Sequence, residues 1–493
     1  MKLADLFHDA GIPTRLLSGF ADEPVLAVTQ NSADATPGSL FVCIRGSRSD
    51  GHRFAADAYR NGCRLFLAEQ PLNLPPDALT VLTDNTHAAL GWLACAFYGH
   101  PSHALRLVGI TGTKGKTTTA LLLSQILNQN GVLCGYIGTN GISFAGTVRN
   151  TQNTTPDALT LQKTLREMIE AGCRAAVLEV SSQAILLDRV AGTTFRDALF
   201  TNFSPDHIGP GEHPDLDNYF ACKHRLFTDF GAETLCCNAD DPRAEEMVAG
   251  TSASRVISVS LEANAAFRAV DIKPICREGF FGQTMTVLHG SERTGLTLPL
   301  IGKANACDAL LALAVARESF GIPTADAARA LGACQIPGRS EFFRLPNRAT
   351  AVIDYAHNAA SLRQLLLSLR EYRPRRLICL FGSVGERTEL RRTELGKVAA
   401  ELADLCILTS DNPGTEPPEQ IIDEIASAFE GCETPYLKIP DRSEAIRRAC
   451  ALLKPGDLLV LAGKGHETYQ LVGKEKVPFS ERKILLESVS VRQ

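Results

Sequence analysis

Short apolar runs alternate repeatedly with helical patterns in this chain from Leu107 onward, and this alternation limits the folds that the chain can adopt. The run LRLVGIT is followed by KTTTALLLSQILNQNG, and the run RAAVLEV is followed by a polar turn. Such alternation is typical of parallel sheets with helices on both faces, so we predict an α/β fold. With 493 residues, of which 45% are hydrophobic, the chain is long enough for about three domains.

Two breaks divide the chain in this interpretation. The sequence Gly99-His100-Pro101 precedes the strongest strand signal, and Ile336 to Arg339 separates a helix-rich segment from the strand-like run ATAVIDYAH. We place a smaller N-terminal α/β domain at residues 1–100, a central domain with a parallel sheet of the P-loop ATPase type at 101–336, and a Rossmann-like domain at 337–493. In the third domain, three apolar runs end in the polar loops GSVGER, SDNPG and GKGHE, which predicts one ligand-binding edge.

Charge and cysteine content exclude several classes of protein. Fifty Lys and Arg residues face 55 Asp and Glu residues without a long run of one sign, which does not favour a nucleic-acid partner or stable membrane insertion. Asp5, His8 and Asp9 stand where a signal peptide needs its apolar core, so we expect a cytoplasmic protein. The 15 cysteines are odd in number and form no C-x-x-C pair, which predicts reduced thiols.

A glycine-bearing turn at Gly112 to Thr118 lies between a predicted strand and a helix predicted from Thr119 onward. In this context backbone N–H groups can hold phosphate oxygens, Lys116 can reach the terminal phosphates and the Thr117 hydroxyl can bind Mg²⁺. The strict P-loop spacing is not met, because Ile110 occupies the first glycine position. The pattern nevertheless predicts a nucleoside triphosphate site.

Further polar residues accompany this turn. Glu179 ends the strand-like run AAVLEV, where its carboxylate could hold a metal near the phosphates. The segment 201–227 then brings His207 and Lys223 into one polar stretch. Together with a nucleotide site, these residues favour a metal-dependent reaction. They do not by themselves separate kinases, hydrolases and ligases.

Ten motifs occur in a characteristic order: GITGTKGKTTT, NTTPD, LEVSSQAI, TNFSPDHI, YFACKHRLF, NADDP, PGR, DYAH, DNPG and GKGHETYQ. In these motifs the chain resembles the Mur ligases, and within them the UDP-N-acetylmuramoyl-tripeptide synthetases, over nearly its whole length. The resemblance implies an ATP- and Mg²⁺-dependent ligase of peptidoglycan precursor synthesis, which we expect to be a monomer. Such an enzyme joins a diamino acid to the D-Glu γ-carboxylate of UDP-MurNAc-L-Ala-D-Glu through an acyl phosphate.

The resemblance also implies roles for individual residues. Those expected at ATP are Gly112, Thr113, Lys114, Gly115, Lys116, Thr117, Thr118, Asn305, Arg339 and Asp354. Those expected at the UDP-MurNAc-dipeptide are Ser32, Asp50, Gly51, His52, Thr154, Thr155, Ser181 and Arg189. Those expected at the diamino acid are Arg392, Asp411, Asn412, Gly463 and Glu467. The implied catalytic residues are Lys116, Glu179, His207 and Lys223, and the implied metal ligands are Thr117, Glu179, His207 and Lys223, the last as a carbamate formed with CO₂.

The chain departs from the family pattern at four places: Asn31-Ser32-Ala33 replaces Asp-Ser-Arg, Gln183 a histidine, Ala304 an aromatic residue, and Gly414 an arginine. Diaminopimelate-adding members resemble one another in that arginine, whose guanidinium can pair with the distal carboxylate of the substrate. Arg391 and Arg392 are candidate replacements, and the GKGHE loop with Glu416 favours meso-diaminopimelate. L-Lysine and L-ornithine remain alternatives.

Other functions also stay open at this point. A related amide ligase of the folylpolyglutamate or cyanophycin type would share the nucleotide site. A nucleotide-binding relative without activity would explain the four departures, and a plain P-loop kinase would need no amine. Phosphate release in the presence of ATP, the UDP-linked dipeptide and a panel of amino acids separates these possibilities.

Overall fold

The computed structural model describes residues 1–13, 17, 19–46, 49–206, 208–209, 212–277, 280–386 and 389–490. The chain forms two compact units. The first contains Met1–Arg268 and Cys307–Ala327, and the second contains Ala269–Ala306 and Ala328–Gln493.

The N-terminal part of the first unit is a small α/β layer. Its four strands pair in parallel in the order β1-β2-β3-β4. Two 3₁₀ turns, Ser32–Asp34 and Gly51–Phe54, follow β1 and β2. The regular elements are α1 (Leu3–Asp9), β1 (Ala27–Thr29), β2 (Ser39–Val42), α2 (Ala55–Arg60), β3 (Leu65–Ala68), β4 (Leu79–Leu82), α3 (Thr86–Phe97) and α4 (Pro101–Ala104).

The rest of the first unit is built on a larger sheet. Its elements are β5 (Arg106–Thr111), α5 (Lys116–Gln129), β6 (Cys134–Gly138), β7 (Gly141–Phe144), β8 (Thr147–Arg149), α6 (Ala158–Glu170), β9 (Ala175–Glu179), α7 (Ser182–Leu186), β10 (Asp197–Phe200), α8 (Leu216–Thr228), β11 (Thr234–Asn238), α9 (Ala244–Val248) and β12 (Arg255–Ser260). The strands lie in the order β12-β11-β10-β5-β9-β6-β7-β8, and β7 and β8 are antiparallel. β5 and β9, which lead into the predicted nucleotide site, are therefore neighbours at its centre.

Local sequence explains how these helices begin and which face they bury. The Asp157 side chain accepts a hydrogen bond from Thr160 N and caps α6. Leu161, Leu165 and Met168 then follow at spacings that place them on one helix face, and all three are completely buried. The NTTPD motif thus ends in a helix cap.

The second unit includes strands and helices from two stretches of the chain. They are β14 (Phe280–His289), β15 (Glu292–Leu298), β16 (Glu341–Arg344), β17 (Thr350–Asp354), α12 (Ala359–Arg370), β18 (Leu377–Phe381), α13 (Glu389–Leu402), β19 (Leu405–Leu408), α14 (Pro418–Ser427), β20 (Tyr436–Lys438), α15 (Arg442–Leu452), β21 (Leu458–Ala462), β22 (Tyr469–Val472), β23 (Glu475–Pro478) and α16 (Glu481–Ser490). The unit division falls within β13 (Phe267–Arg277), within α10 (Gly302–Phe320) and within α11 (Thr324–Gly332).

A six-stranded sheet forms the centre of the second unit, in the order β16-β17-β21-β18-β19-β20. Its strands are parallel except for β16. Buried aliphatic residues cover both faces of this sheet. Because β18, β19 and β21 run in the same direction, their carboxyl ends meet at one edge.

The α/β prediction is confirmed, although antiparallel strands were not predicted. β14 and β15 form an antiparallel pair, and β7, β8 and β16 extend the parallel sheets. The cysteines are free, and all except Cys276 and Cys432 are buried. Among the described residues, no helix is long and apolar enough to cross a membrane.

Candidate functional site

The glycine-rich motif folds into a tight loop between β5 and α5. The helix begins at Lys116, three residues earlier than the sequence predicted, because Gly115 with a φ of +83° already serves as its N-cap. A Cβ atom on Gly112 would collide with Thr201 Oγ1, and one on Gly115 would collide with the Asp308 carboxylate. Only glycine therefore fits at these two positions of the loop.

Asn202, Ser204 and Asp206 of the TNFSPDHI motif contact this loop. Thr113 N donates to Asn202 O at 2.8 Å, and Lys114 N donates to Asn202 Oδ1 at 3.0 Å. Thr113 Oγ1 donates to Ser204 O at 3.1 Å, and Lys114 Nζ pairs with Asp206 Oδ2 at 2.8 Å. The two motifs, about ninety positions apart in sequence, thus form one structure.

Two lysines meet at a single backbone oxygen of the loop. Lys116 Nζ donates to Gly112 O at 2.8 Å and to Thr113 O at 3.1 Å, and Lys223 Nζ donates to Gly112 O at 2.9 Å. Lys223 is 1% exposed and lies over the Tyr219 ring. Burial, assisted by the positive charge of Lys116, holds the pKa of Lys223 well below its ordinary value. Burial and the neighbouring cation thus disfavour the charged form of Lys223 relative to a lysine in water.

Glu179, the last residue of β9, brings a completely buried carboxylate beside the start of α5. Thr117 Oγ1 donates to Glu179 Oε2 at 2.9 Å, and Tyr136 OH donates to Oε1 at 2.6 Å. Thr139 N donates to Oε1 at 3.0 Å. Neutral donors thus surround a carboxylate that is adjacent to the predicted phosphate-binding loop.

These ligands fit a magnesium ion that is shared with a nucleotide. Mg²⁺ is typically held by one or two carboxylates together with substrate phosphates and water. Thr117 and Glu179 offer such oxygen atoms, whereas the described residues contain no cluster of three or more His, Cys, Asp or Glu that could hold a metal by itself. His207, a predicted ligand, lies outside the described residues.

Four of the residues expected at the UDP-MurNAc-dipeptide lie near Glu179. Thr155 Oγ1 donates to Glu179 O at 2.8 Å and accepts from Ser181 N at 3.1 Å. Arg189 Nη1 donates to Thr155 O at 3.1 Å, and Thr154 Oγ1 lies 3.1 Å from Thr139 Oγ1. The structure therefore brings these four predicted residues together at the carboxyl end of β9.

In the N-terminal layer, the other residues expected at the UDP-MurNAc-dipeptide stabilise their own turns. Asp50 Oδ1 accepts from His52 N at 3.0 Å and lies 2.6 Å from His52 Nδ1, and His52 Nε2 accepts from Glu69 N at 3.1 Å. The bonds to His52 hold the pKa of Asp50 below its ordinary value. A Cβ atom on Gly51 would lie 2.7 Å from Ile44 N. Both ring nitrogens of His52 are thus used within the protein.

Ser32 lies in the other turn of this layer. The Asn31 side chain caps the turn by accepting from Ala33 N at 3.1 Å, and Ser32 O accepts from Asn61 Nδ2 at 2.8 Å. Asn31, which replaces the acid of the family pattern, therefore has a structural role in this chain.

In the second unit, Asp354 ends β17 beside Arg339. Asp354 Oδ2 accepts from Ser340 N at 2.8 Å, and burial raises the pKa of Asp354, against the lowering effect of Arg339. The Arg339 guanidinium lies 4.9 Å from the centre of the Tyr355 ring. Asn305, at the start of α10, donates from Nδ2 to Ile301 O at 2.8 Å.

Three loops meet at the carboxyl edge of the second sheet, as predicted. Gly385 N donates to Asn412 O at 2.9 Å, which joins the loop after β18 to the loop after β19. Asn412 Nδ2 donates to Glu467 Oε2 at 3.0 Å, which adds the loop after β21. A Cβ atom on Gly463 would lie 2.7 Å from Asp411 Oδ2. Asp411, Asn412, Gly463 and Glu467 are therefore adjacent.

Arg392 takes part in a different set of contacts. Its side chain is 2% exposed, and its guanidinium pairs with Glu416 Oε2 at 2.6 Å and Glu424 Oε2 at 2.7 Å. Arg391 Nη2 donates to His357 O at 3.0 Å. Two carboxylates therefore balance the charge of Arg392, and its contact with a substrate stays a prediction.

Several polar residues of these sites are not predicted from the sequence. Tyr136 and Thr139 bind Glu179 but belong to no recognised motif. His213 is completely buried, with Nε2 2.8 Å from Ser182 Oγ. Lys464 is the lysine of GKGHE, a loop in which only Gly463 and Glu467 are predicted site residues.

Comparison with known proteins identifies the family. Residues 110–316 match the description "Mur ligase middle domain", residues 338–465 match "Mur ligase, glutamate ligase domain", and residues 25–98 match "Mur ligase family, catalytic domain". A relative from Chlorobaculum tepidum, named UDP-N-acetylmuramoyl-L-alanyl-D-glutamate--2,6-diaminopimelate ligase, is 40% identical over 94% of this chain and 92% of its own length. A relative of the same name from Thermosynechococcus vestitus is 37% identical over 98% of this chain and 96% of its own length.

Solved structures agree with these matches. A structure of the same name aligns with a TM-score of 0.71 and 27% identity, covering 100% of this chain and 99% of the other. The MurF ligase from Thermotoga maritima in complex with ADP aligns with a TM-score of 0.63 over 95% of this chain and 99% of its own, and at 18% identity it shows the fold alone. With three matched domains and relatives along nearly its full length, this chain belongs to the Mur ligase family.

Proposed function

We propose that this chain is an ATP-dependent ligase that joins 2,6-diaminopimelate to the D-Glu γ-carboxylate of UDP-MurNAc-L-Ala-D-Glu. The names of its relatives support the reaction and both substrates. The observation that carries the proposal is the meeting of Lys116 and Lys223 at Gly112 O, beside the Thr117–Glu179 pair. A phosphate-binding loop that carries Lys116 and lies beside a buried carboxylate suits a phosphoryl transfer whose charge is balanced by a cationic side chain and a metal ion.

The P-loop residues would bind the triphosphate. Backbone N–H groups at the start of α5 face the phosphates, and Lys116 contributes a positive charge. Thr117 and Glu179 would hold Mg²⁺, and we assign His207 to a second ion on the family resemblance. Bound Mg²⁺ would neutralise charge on the transferred phosphoryl group. Asn305, Arg339 and Asp354 are proposed as ATP-binding residues on the family resemblance.

The reaction then proceeds in two steps. The D-Glu γ-carboxylate attacks the γ-phosphorus of ATP, which releases ADP and leaves an acyl phosphate. The amine of the diamino acid attacks the acyl carbon, loses a proton, and the tetrahedral intermediate collapses to an amide and inorganic phosphate. Because water would hydrolyse the acyl phosphate, the site must exclude solvent at this stage.

Lys223 is proposed to act as a carbamate. Its neutral amine can add to CO₂, forming an N–C bond and releasing a proton, which leaves an anionic group. A protonated Lys223 next to Lys116 would repel both that residue and a metal, whereas a carbamate would attract both. Its burial and its lowered pKa support this assignment.

The roles of the substrate-binding residues are proposed on the family resemblance. Thr154, Thr155, Ser181 and Arg189, next to Glu179, are proposed to bind the dipeptide. Ser32 and the Asp50 to His52 turn are proposed to bind the uridine diphosphate, and Asp411, Asn412, Gly463, Glu467 and Arg392 the diamino acid. We also propose that residues 1–100, 101–336 and 337–493 are the three domains.

The test is ADP formation by the Lys116→Ala variant. In the wild-type protein, we expect ADP and amide product to appear together only when ATP, Mg²⁺, the UDP-linked dipeptide and diaminopimelate are all present. Loss of the Lys116 charge should lower this rate by about a hundredfold or more. Lys163→Ala, which changes a lysine on α6, is the control. Full amide synthesis by Lys116→Ala would contradict the assignment of the P-loop.

A further inference from the structure

Lys464 has no exposed side-chain surface, although it lies in a loop at the carboxyl edge of the second sheet. Its Nζ donates to Asn412 Oδ1 at 2.8 Å and to Glu467 Oε2 at 2.5 Å, and it lies 3.7 Å from Asp411 Oδ1. A buried ammonium is costly unless it is paired and hydrogen-bonded, and these three groups supply both conditions.

This ammonium joins two loops that are distant in the sequence. Asn412 follows β19 and Glu467 follows β21, and the contact of Lys464 with Asn412 spans 52 positions. Asn412 Oδ1 also accepts from Leu471 N at 2.9 Å, and its Nδ2 donates to Glu467 Oε2 at 3.0 Å. The orientation of the Asn412 amide and the position of the Glu467 carboxylate are therefore defined by the same small network.

Other charged groups surround this network. Arg442 and Glu481 form a second buried pair, with Nη2 2.8 Å from Oε1. Burial raises the pKa of Asp411, and both Arg442 and Lys464 act in the opposite direction. Without Lys464, the carboxylates of Asp411 and Glu467 would face each other with Arg442 and Arg391 to offset their charge, so Glu467 would be expected to move.

We propose that Lys464 is a positioning residue for the diamino acid, because it fixes Asn412 and Glu467 in the arrangement that receives this substrate. The inference rests on the proposed function, which assigns those two residues to the diamino acid. Lys464 itself is buried behind them, so it acts through its partners and does not need to contact the substrate.

The main experiment compares Lys464→Met with the wild-type protein. Methionine has a similar length and no charge. We expect the KM for diaminopimelate to rise about tenfold or more, since a buried charged partner is lost, while the KM for ATP stays within about twofold. A purely structural role would affect both KM values or only the melting temperature. Equal changes in both, or no change in either, would overturn the inference.

The matched control is Arg376→Met. Arg376 pairs with the buried Asp457 at the amino ends of β18 and β21, which is the opposite edge of the same sheet. This variant also removes a cation from an ion pair in the second unit. We expect it to lower the melting temperature and to leave the KM for diaminopimelate unchanged.

A double variant keeps the inference testable if Lys464→Met does not fold. Lys464→Met with Glu467→Gln leaves no unpaired carboxylate at position 467. If Lys464 acts through Glu467, adding Lys464→Met to Glu467→Gln should raise the KM for diaminopimelate by less than about threefold. A further tenfold increase in that background would contradict this route. Failure of the wild-type protein to form an amide with any diamino acid would instead contradict the proposed function.

Discussion

At the scale of single residues, Lys223 offers the sharpest chemical prediction. Lys223→Ala should lose most ligase activity, since no carbamate can form at that position. Added short carboxylic acids such as acetate should restore part of the activity, because the space left by the side chain can accept a small anion near Lys116. The measurement is amide formation with and without the added acid.

Two controls accompany this variant. Short amines at the same concentration should not restore activity to Lys223→Ala, because they supply the wrong charge. Acetate should not stimulate Lys116→Ala, in which the lost group is a cation. An unchanged rate in Lys223→Ala would show that this lysine is structural.

Gly414 shows how the structure changes the meaning of a sequence difference. Its φ is +60°, its N–H donates to Leu471 O at 3.0 Å, and its carbonyl accepts from Gly473 N at 2.6 Å. A Cβ atom here would lie 3.2 Å from Glu386 Oε1. An arginine at this position would therefore start from a strained backbone and next to a carboxylate.

We predict the effect of Gly414→Arg from these contacts. The backbone conformation should cost about 1–2 kcal/mol of stability, and Glu386 should partly neutralise the new guanidinium. The kcat/KM for diaminopimelate should change less than about fivefold, while the kcat/KM for L-lysine should fall through like-charge repulsion. Steady-state kinetics with both amino acids measure this. A large gain for diaminopimelate would show that the wild-type pocket lacks a needed cation.

At the scale of elements, the loop between β5 and α5 depends on its glycines. Gly115→Ala should raise the KM for ATP, because the new methyl group collides with the Asp308 carboxylate as well as straining a residue with φ of +83°. Gly131, just beyond the end of the same helix, has a φ of +78°, but no atom lies within 4 Å of the position that a Cβ atom would take there. Gly131→Ala should therefore cost only about 1–2 kcal/mol of stability and leave the KM for ATP unchanged.

Nucleotide titration and thermal unfolding together check this pair of variants. If both alanine variants raise the KM for ATP equally, strain and not the collision with Asp308 explains the effect. If neither variant does so, the loop tolerates side chains and its assignment to phosphate binding is wrong.

Elements with strong local signals could be predicted from the sequence. β5, β9, β18, β19 and β21 are short apolar runs that end in glycine or polar residues, and their parallel pairing is confirmed. The start of α5 was placed too late, because the positive φ of Gly115 allows the helix to begin directly after it. The hairpin of β14 and β15 is not predicted from the sequence. In the structure, burial largely alternates along β14, which is typical of an antiparallel strand with one exposed face.

The site residues, like the strands and helices, can be predicted from the sequence only in part. The sequence predicts motif residues such as Lys116, Glu179 and Lys223 as site residues, because their residue types suit the chemistry. Tyr136 and Lys464 were not found, because their importance depends on burial and on partners from distant segments. A sequence shows residue types and their spacing. The partners of a buried charge depend on the folded structure, in which the ends of separate strands lie close together.

At the scale of the whole molecule, the chain has three matched domains and three sheets with parallel strands, and loops at the carboxyl ends of these strands carry many of the residues proposed to bind the substrates. This arrangement is common in α/β proteins, and it explains why the motifs recur directly after strands. The predicted boundaries near residues 100 and 336 and the predicted monomer stay predictions. Limited proteolysis and sedimentation of the purified chain would check them.

The proposed function requires this chain to form an amide between the UDP-linked dipeptide and diaminopimelate. The direct measurement is phosphate release together with mass detection of the product, using ATP, Mg²⁺, UDP-MurNAc-L-Ala-D-Glu and, in turn, meso-diaminopimelate, L-lysine and L-ornithine. We predict the highest kcat/KM for meso-diaminopimelate and one phosphate for each amide formed. Equal or better use of L-lysine would contradict the choice of diamino acid. If all three amino acids gave phosphate release but no amide, that result would contradict the assignment of a ligase activity.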